Sequence, residues 1–93
     1  LYKRDKSTNE VILKRYQAFV EDVYKATFIH LEDTEDDSKN FAALASRTGL
    51  ELSFIEKTIK ELRFVSLLSY NISETDMIKH LKNINKITNK LSL

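Results

Sequence analysis

His30 and His80 are the chain's two imidazoles, and they are too far apart to form a His-x-x-x-His metal pair. Both read as surface or helix-end residues. There is no cysteine, so a thiolate metal site, a cysteine nucleophile and a disulfide framework are all excluded. No serine stands in a Gly-x-Ser-x-Gly elbow, and Ser7, Ser53 and Ser73 each begin a helix-capping pattern. A single glycine rules out a glycine-rich phosphate loop. Asp33, Glu35 and Asp37 alternate like the start of a calcium loop. Its sixth position, however, is Ser38 where glycine is needed, and its twelfth is Leu44 where a bidentate Glu belongs. These residues specify no catalytic, cofactor or metal site, so no enzyme is expected.

Two surfaces remain. The stretch Ala43–Leu50, followed by Ser53-Phe54-Ile55-Glu56, has the outline of a helix-turn-helix, with small Ala45, then Gly49 for the turn, then apolar Leu50 and Ile55. As a DNA reader, its second helix would offer Lys57, Lys60 and Arg63. Glu51, Glu56 and Glu61 balance those charges, whereas a reading helix needs net positive charge. A plain helical corner serves the same sequence. The second surface is Lys79, Lys82, Lys86 and Lys90, which recur at three and four residues and so share one helix face. That face suits anionic lipid headgroups, an acidic partner or simple solvation. Asn71-Ile72-Ser73 formally fits the N-glycosylation pattern, and Ser73 also has a capping role.

The elements that must carry these residues follow from composition. Ninety-three residues, 42% hydrophobic and 31% charged, make one folded domain. With one glycine and no proline, the tight turns of an all-β domain cannot be made, so the chain is all-α. A net charge of +1 is far from the strongly basic balance of a dedicated nucleic-acid binder. No run approaches the roughly eighteen apolar residues needed to cross a bilayer. Opening on Leu1, the chain reads as an excised piece of a longer protein, so its lack of a targeting signal says nothing about the parent.

Hydrophobic periodicity then predicts a small bundle of four helices over residues 8–30, 38–48, 53–68 and 73–90, with residues 1–6 frayed. Ser7-x-x-Glu10 caps the first, which points Ile12, Tyr16, Phe19, Val20, Val23 and Tyr24 inward. Glu32 to Asp37 is a solvated acidic loop, and Asp37 or Ser38 caps the second helix. That helix buries Phe41, Leu44 and Ala45 and ends at Gly49. Ser53-x-x-Glu56 caps the third, which presents Ile55, Ile59, Leu62 and Val65, widened by Phe54, Leu67 and Leu68. Ser73-Glu74-x-Asp76 opens the fourth, whose stripe is Met77 or Ile78, Leu81, Ile84, Ile87 and Leu91.

Leu44-Ala45-x-Arg47-Thr48-Gly49-Leu50 with Ile55 and Ile59, and Ile72-Ser73-Glu74-x-x-Met77-Ile78 with Leu81 and Ile84, resemble one known segment. It is the final helical part of a family of bacterial membrane-anchored proteins of unknown function. In that family an extracytoplasmic α/β domain is followed by a transmembrane helix and a short cytoplasmic tail. The basic opening, Leu1 to Lys6, is similar to the charged stretch after such a helix and fits the preference for Lys and Arg on the cytoplasmic side. The resemblance implies a cytoplasmic location and a membrane-anchored parent, without a mechanism. The residues themselves, which carry no reaction chemistry, lead to the expectation of a non-catalytic module that binds a protein partner, with nucleic-acid binding through the corner as the alternative; no cofactor is expected, and the oligomeric state stays open.

Overall fold

A computed structural model describes residues 8–67 and 71–91. Four α-helices form among them: α1 (Thr8–Thr27), α2 (Asp37–Thr48), α3 (Leu52–Ser66) and α4 (Glu74–Lys90). The expected fraying of residues 1–6, the Ser7 cap and the role of Leu68 lie outside the described residues.

α3 is the central element and packs on each of the other three helices. Its residues Ile55, Ile59, Leu62 and Val65 recur at four and three positions, and all four are buried. Burial of each contributes on the order of 1.5–3 kcal/mol. Around them lie Ile12, Phe19 and Val23 of α1, Phe41 and Leu44 of α2, and Ile84 and Ile87 of α4. Tyr16, Val20, Met77 and Leu81 pack partly buried at the margin.

Several departures from expectation lie at the helix ends, and Tyr24, expected to point inward, is 40% exposed. α1 stops at Thr27 rather than near residue 30, because Phe28 takes a left-handed conformation with φ of 63°. The Thr27 hydroxyl helps the turn, donating to the Val23 carbonyl (2.7 Å) and accepting from the Ile29 amide (3.2 Å). Leaving the helix there lets Leu31 swing inward and become fully buried. The acidic loop contains a 3-10 turn at Thr34–Asp36. Asp36, not Asp37 or Ser38, stands at the start of α2, and its side chain makes no cap hydrogen bond. Asp37 is already helical, and its carboxylate is used elsewhere.

At the corner, Gly49 adopts φ of 76°, and its amide donates to the Ala45 carbonyl (2.9 Å), the left-handed ending that glycine favours. Thr48 reinforces it, donating from its hydroxyl to the Leu44 carbonyl (2.8 Å) and accepting from the Leu50 amide (3.2 Å). The chain needs only Leu50 and an extended Glu51 before α3 begins at Leu52. Ser53 therefore falls inside the first turn, and the expected Ser53–Glu56 capping box does not form. Glu56 instead pairs with Lys60. At α4 the expected cap does form, since Ser73 accepts from the Asp76 amide (3.1 Å).

Candidate functional site

The most heavily connected polar group among the described residues is the Arg63 guanidinium. α3 carries it beside the start of α2, where Nη1 and Nη2 donate to both Asp37 carboxylate oxygens (2.7 and 2.9 Å). Nη2 also donates to the Leu31 carbonyl (2.7 Å), and Nε to the Tyr16 hydroxyl (3.2 Å). The guanidinium lies 5.6 Å from the centroid of the Phe41 ring. A fork of planar donors meeting a carboxylate with both arms is the strong form of an ion pair. One side chain thus ties α1, the following loop and α2 to α3. The Arg63 hydrogen bonds hold the Asp37 carboxyl below its ordinary range, outweighing the opposite effect of partial burial. Hydrogen bonding to Asp37 likewise raises the Arg63 pKa. This arrangement stabilises charges already paired and leaves no acid or base poised for proton transfer.

Of the three candidate nucleic-acid contacts on α3, Arg63 is thus part of the scaffold. Lys60 is exposed and paired with Glu56 (2.8 Å), and Lys57 is exposed. Both belong to an outward stripe, Ser53, Lys57, Lys60, Phe64 and Leu67, spaced four, three, four and three residues apart and exposed throughout. Phe64 is 64% exposed and Leu67 84%. Leu67 was expected to widen the buried face. It lies outside because its position continues the outer stripe.

The α4 lysines, Lys79, Lys82, Lys86 and Lys90, are all exposed on one face. Lys86 lies 4.8 Å from the centre of the Phe54 ring. Behind them His80 is buried, with an Nδ1 that has no hydrogen-bond partner. Its burial corrects the surface reading given to both histidines; His30 is exposed and meets Glu32 at 3.2 Å. The sequence held a signal for His80: Met77, His80, Ile84, Ile87 and Leu91 run at alternate three- and four-residue steps. Asp37 and Arg63 had none, being 26 residues apart. No group of three or more His, Cys, Asp or Glu side chains among the described residues is arranged to hold a metal ion.

Residues 1–91 match the family described as DUF4350 C-terminal helical domain. The chain belongs to that family. No curated protein and no solved structure matches it. Membership agrees with the resemblance carried by Leu44–Leu50 and Ile72–Ile84 as far as a helical domain of an uncharacterised family. As a DUF4350 C-terminal helical domain, the chain joins a compact scaffold to two outward faces, one on α3 and one on α4. No helix in the described residues is long and apolar enough to cross a membrane.

Proposed function

We propose that this chain is a non-catalytic interaction module, the cytoplasmic tail domain of a membrane-anchored bacterial protein, and that the outer stripe of α3 meets its protein partner. The observation that supports this most is the exposure of Phe64 and Leu67 on a helix whose opposite face fills the core. Large apolar side chains at the end of a regular stripe gain free energy when a partner covers them, and Lys57 and Lys60 lend the same stripe polarity and orientation. The non-catalytic reading is supported by Arg63 and Asp37, whose charges satisfy each other and the loop. Placement behind a membrane anchor draws on the family resemblance and on the basic opening of the chain.

Site-specific photo-crosslinking in cells tests the interaction. A photoreactive residue at position 64 or 67 of the full-length protein should give a discrete protein adduct that a probe at exposed Glu35 does not. Absence of an adduct at both positions would overturn the reading.

A second reading, a nucleic-acid-binding helix-turn-helix domain, is favoured by the corner at Gly49 and by exposed Lys57 and Lys60. It predicts a gel shift with generic duplex DNA at low salt, weakened by Lys57→Gln and Lys60→Gln. Phe64 and Leu67 on the same stripe fit a protein surface better than phosphates.

A further inference from the structure

We propose that the lysine face of α4 seats the domain on an anionic membrane surface. The inference rests on the proposed tail for the nearness of a bilayer, while the attraction itself needs only this face. From Met77 to Leu91 the helix contains no Asp or Glu, so the charges of Lys79, Lys82, Lys86 and Lys90 add without an acidic neighbour in that segment. The acidic residues of α4, Glu74 and Asp76, are confined to its first turn. None of the four lysines is ion-paired with a described residue, whereas Lys60 and Arg63 of α3 are. The lysines span roughly 16 Å along a straight edge, given the 1.5 Å rise per residue of an α-helix.

Ile78 supplies the second half of the argument. It is 46% exposed, next to Lys79 and one turn before Lys82. A shallow open depression of about 390 Å³ lies along this surface, lined by Thr75, Ile78, Lys79, Lys82 and Asn83. An apolar side chain among flexible ammonium groups suits the boundary between headgroups and acyl chains. α4 itself, Glu74–Lys90, contributes no arginine to grip a guanine edge and no Phe, Tyr or Trp ring to stack a base, which disfavours nucleic acid as the occupant.

Each lysine close to an anionic bilayer multiplies partitioning about fivefold, so four give an enrichment of several hundredfold. That is weak for a free protein. It is sufficient for a domain tethered beside the bilayer, where the effective concentration is on the order of millimolar.

Co-sedimentation of the chain with vesicles at low salt and millimolar lipid tests the proposal. One set is pure phosphatidylcholine, and the other replaces one third of it with phosphatidylglycerol. Binding is expected to the anionic vesicles alone and to fade with added salt. The pair Lys79→Gln and Lys82→Gln should lower partitioning about 25-fold, two lysines at fivefold each. The pair Lys57→Gln and Lys60→Gln, with the same change in net charge, should leave it within about twofold, because α3's outer stripe is not the docking face. Ile78→Ser should weaken binding at unchanged charge. Equal loss in the two lysine pairs, equal binding to neutral vesicles, no binding to anionic ones, or displacement from them by duplex DNA would each overturn the proposal. Binding by this chain combined with a parent lacking an anchor would leave the face intact and refute the tail. An anchored parent whose tail ignores anionic vesicles would do the reverse.

Discussion

Replacing Arg63 with methionine keeps an apolar stem of comparable reach and removes the guanidinium. Four donated hydrogen bonds disappear: two to Asp37, one to the Leu31 carbonyl and one to the Tyr16 hydroxyl. Hydrogen bonds to charged groups contribute about 1.5–3 kcal/mol each when buried. Here the two side chains are 21% and 23% exposed, so water re-solvates part of what is lost and the lower end applies. We expect a net cost of about 3 kcal/mol, a large share of the roughly 5–14 kcal/mol available to a domain of this size. At about 4–8 °C per kcal/mol, the melting temperature should fall by about 12–24 °C. Asp37→Asn should cost about half as much, since Arg63 keeps Leu31 and Tyr16, and the double variant should show a coupling of about 1–2 kcal/mol. The pair also predicts a pH dependence. Arg63 holds the folded Asp37 pKa below its ordinary value of 3.8. Its contribution is therefore complete above that value and fades as pH falls through the lower folded one. Urea unfolding followed by circular dichroism from neutral to acidic pH should give Asp37→Asn a flatter acid limb than the parent chain. An Arg63→Met variant within about 0.5 kcal/mol of the parent, or identical acid limbs, would refute the assignment of Arg63 as the scaffold's tie.

Gly49→Ala should destabilise by about 1 kcal/mol, purely from the positive φ, because an added Cβ meets nothing within 4 Å; Gly49→Asn should cost less in the same thermal melts. Ser73→Ala removes the acceptor for the Asp76 amide and should cost about 1 kcal/mol, whereas Ser53→Ala, at a position that caps nothing, should shift the melt by less than half as much. His80→Leu deletes a buried, unpartnered ring nitrogen and should raise stability by about 1 kcal/mol, measurable as a higher urea midpoint at unchanged slope.

The parts of this architecture legible from sequence are those fixed by local rules. The third-helix stripe, the Gly49 ending and the Ser73 cap each follow from residues within a few positions of one another. What escaped prediction depended on distant or competing partners. Asp37 had the chemistry of a cap, yet Arg63, 26 residues on, drew its carboxylate away. Ser53 had the spacing of a capping box, but the short turn after Gly49 started α3 two residues too early for it, with Glu51 at the cap position. Leu31 follows directly on the expected first helix, 8–30, with no periodic stripe to place it, and the left-handed Phe28 made it a core residue. The lysine face of α4 was evident from spacing, while the outer α3 stripe emerged only when Leu67 proved to lie on the solvent side.

Fractionation of cells producing the full-length parent tests the central functional claim most directly, with protease added to spheroplasts before and after permeabilisation. The account predicts that the protein stays with membranes through an alkaline wash and that this C-terminal domain is cut only once the membrane is opened. Recovery in the soluble fraction, or cleavage of the domain in intact spheroplasts, would contradict it.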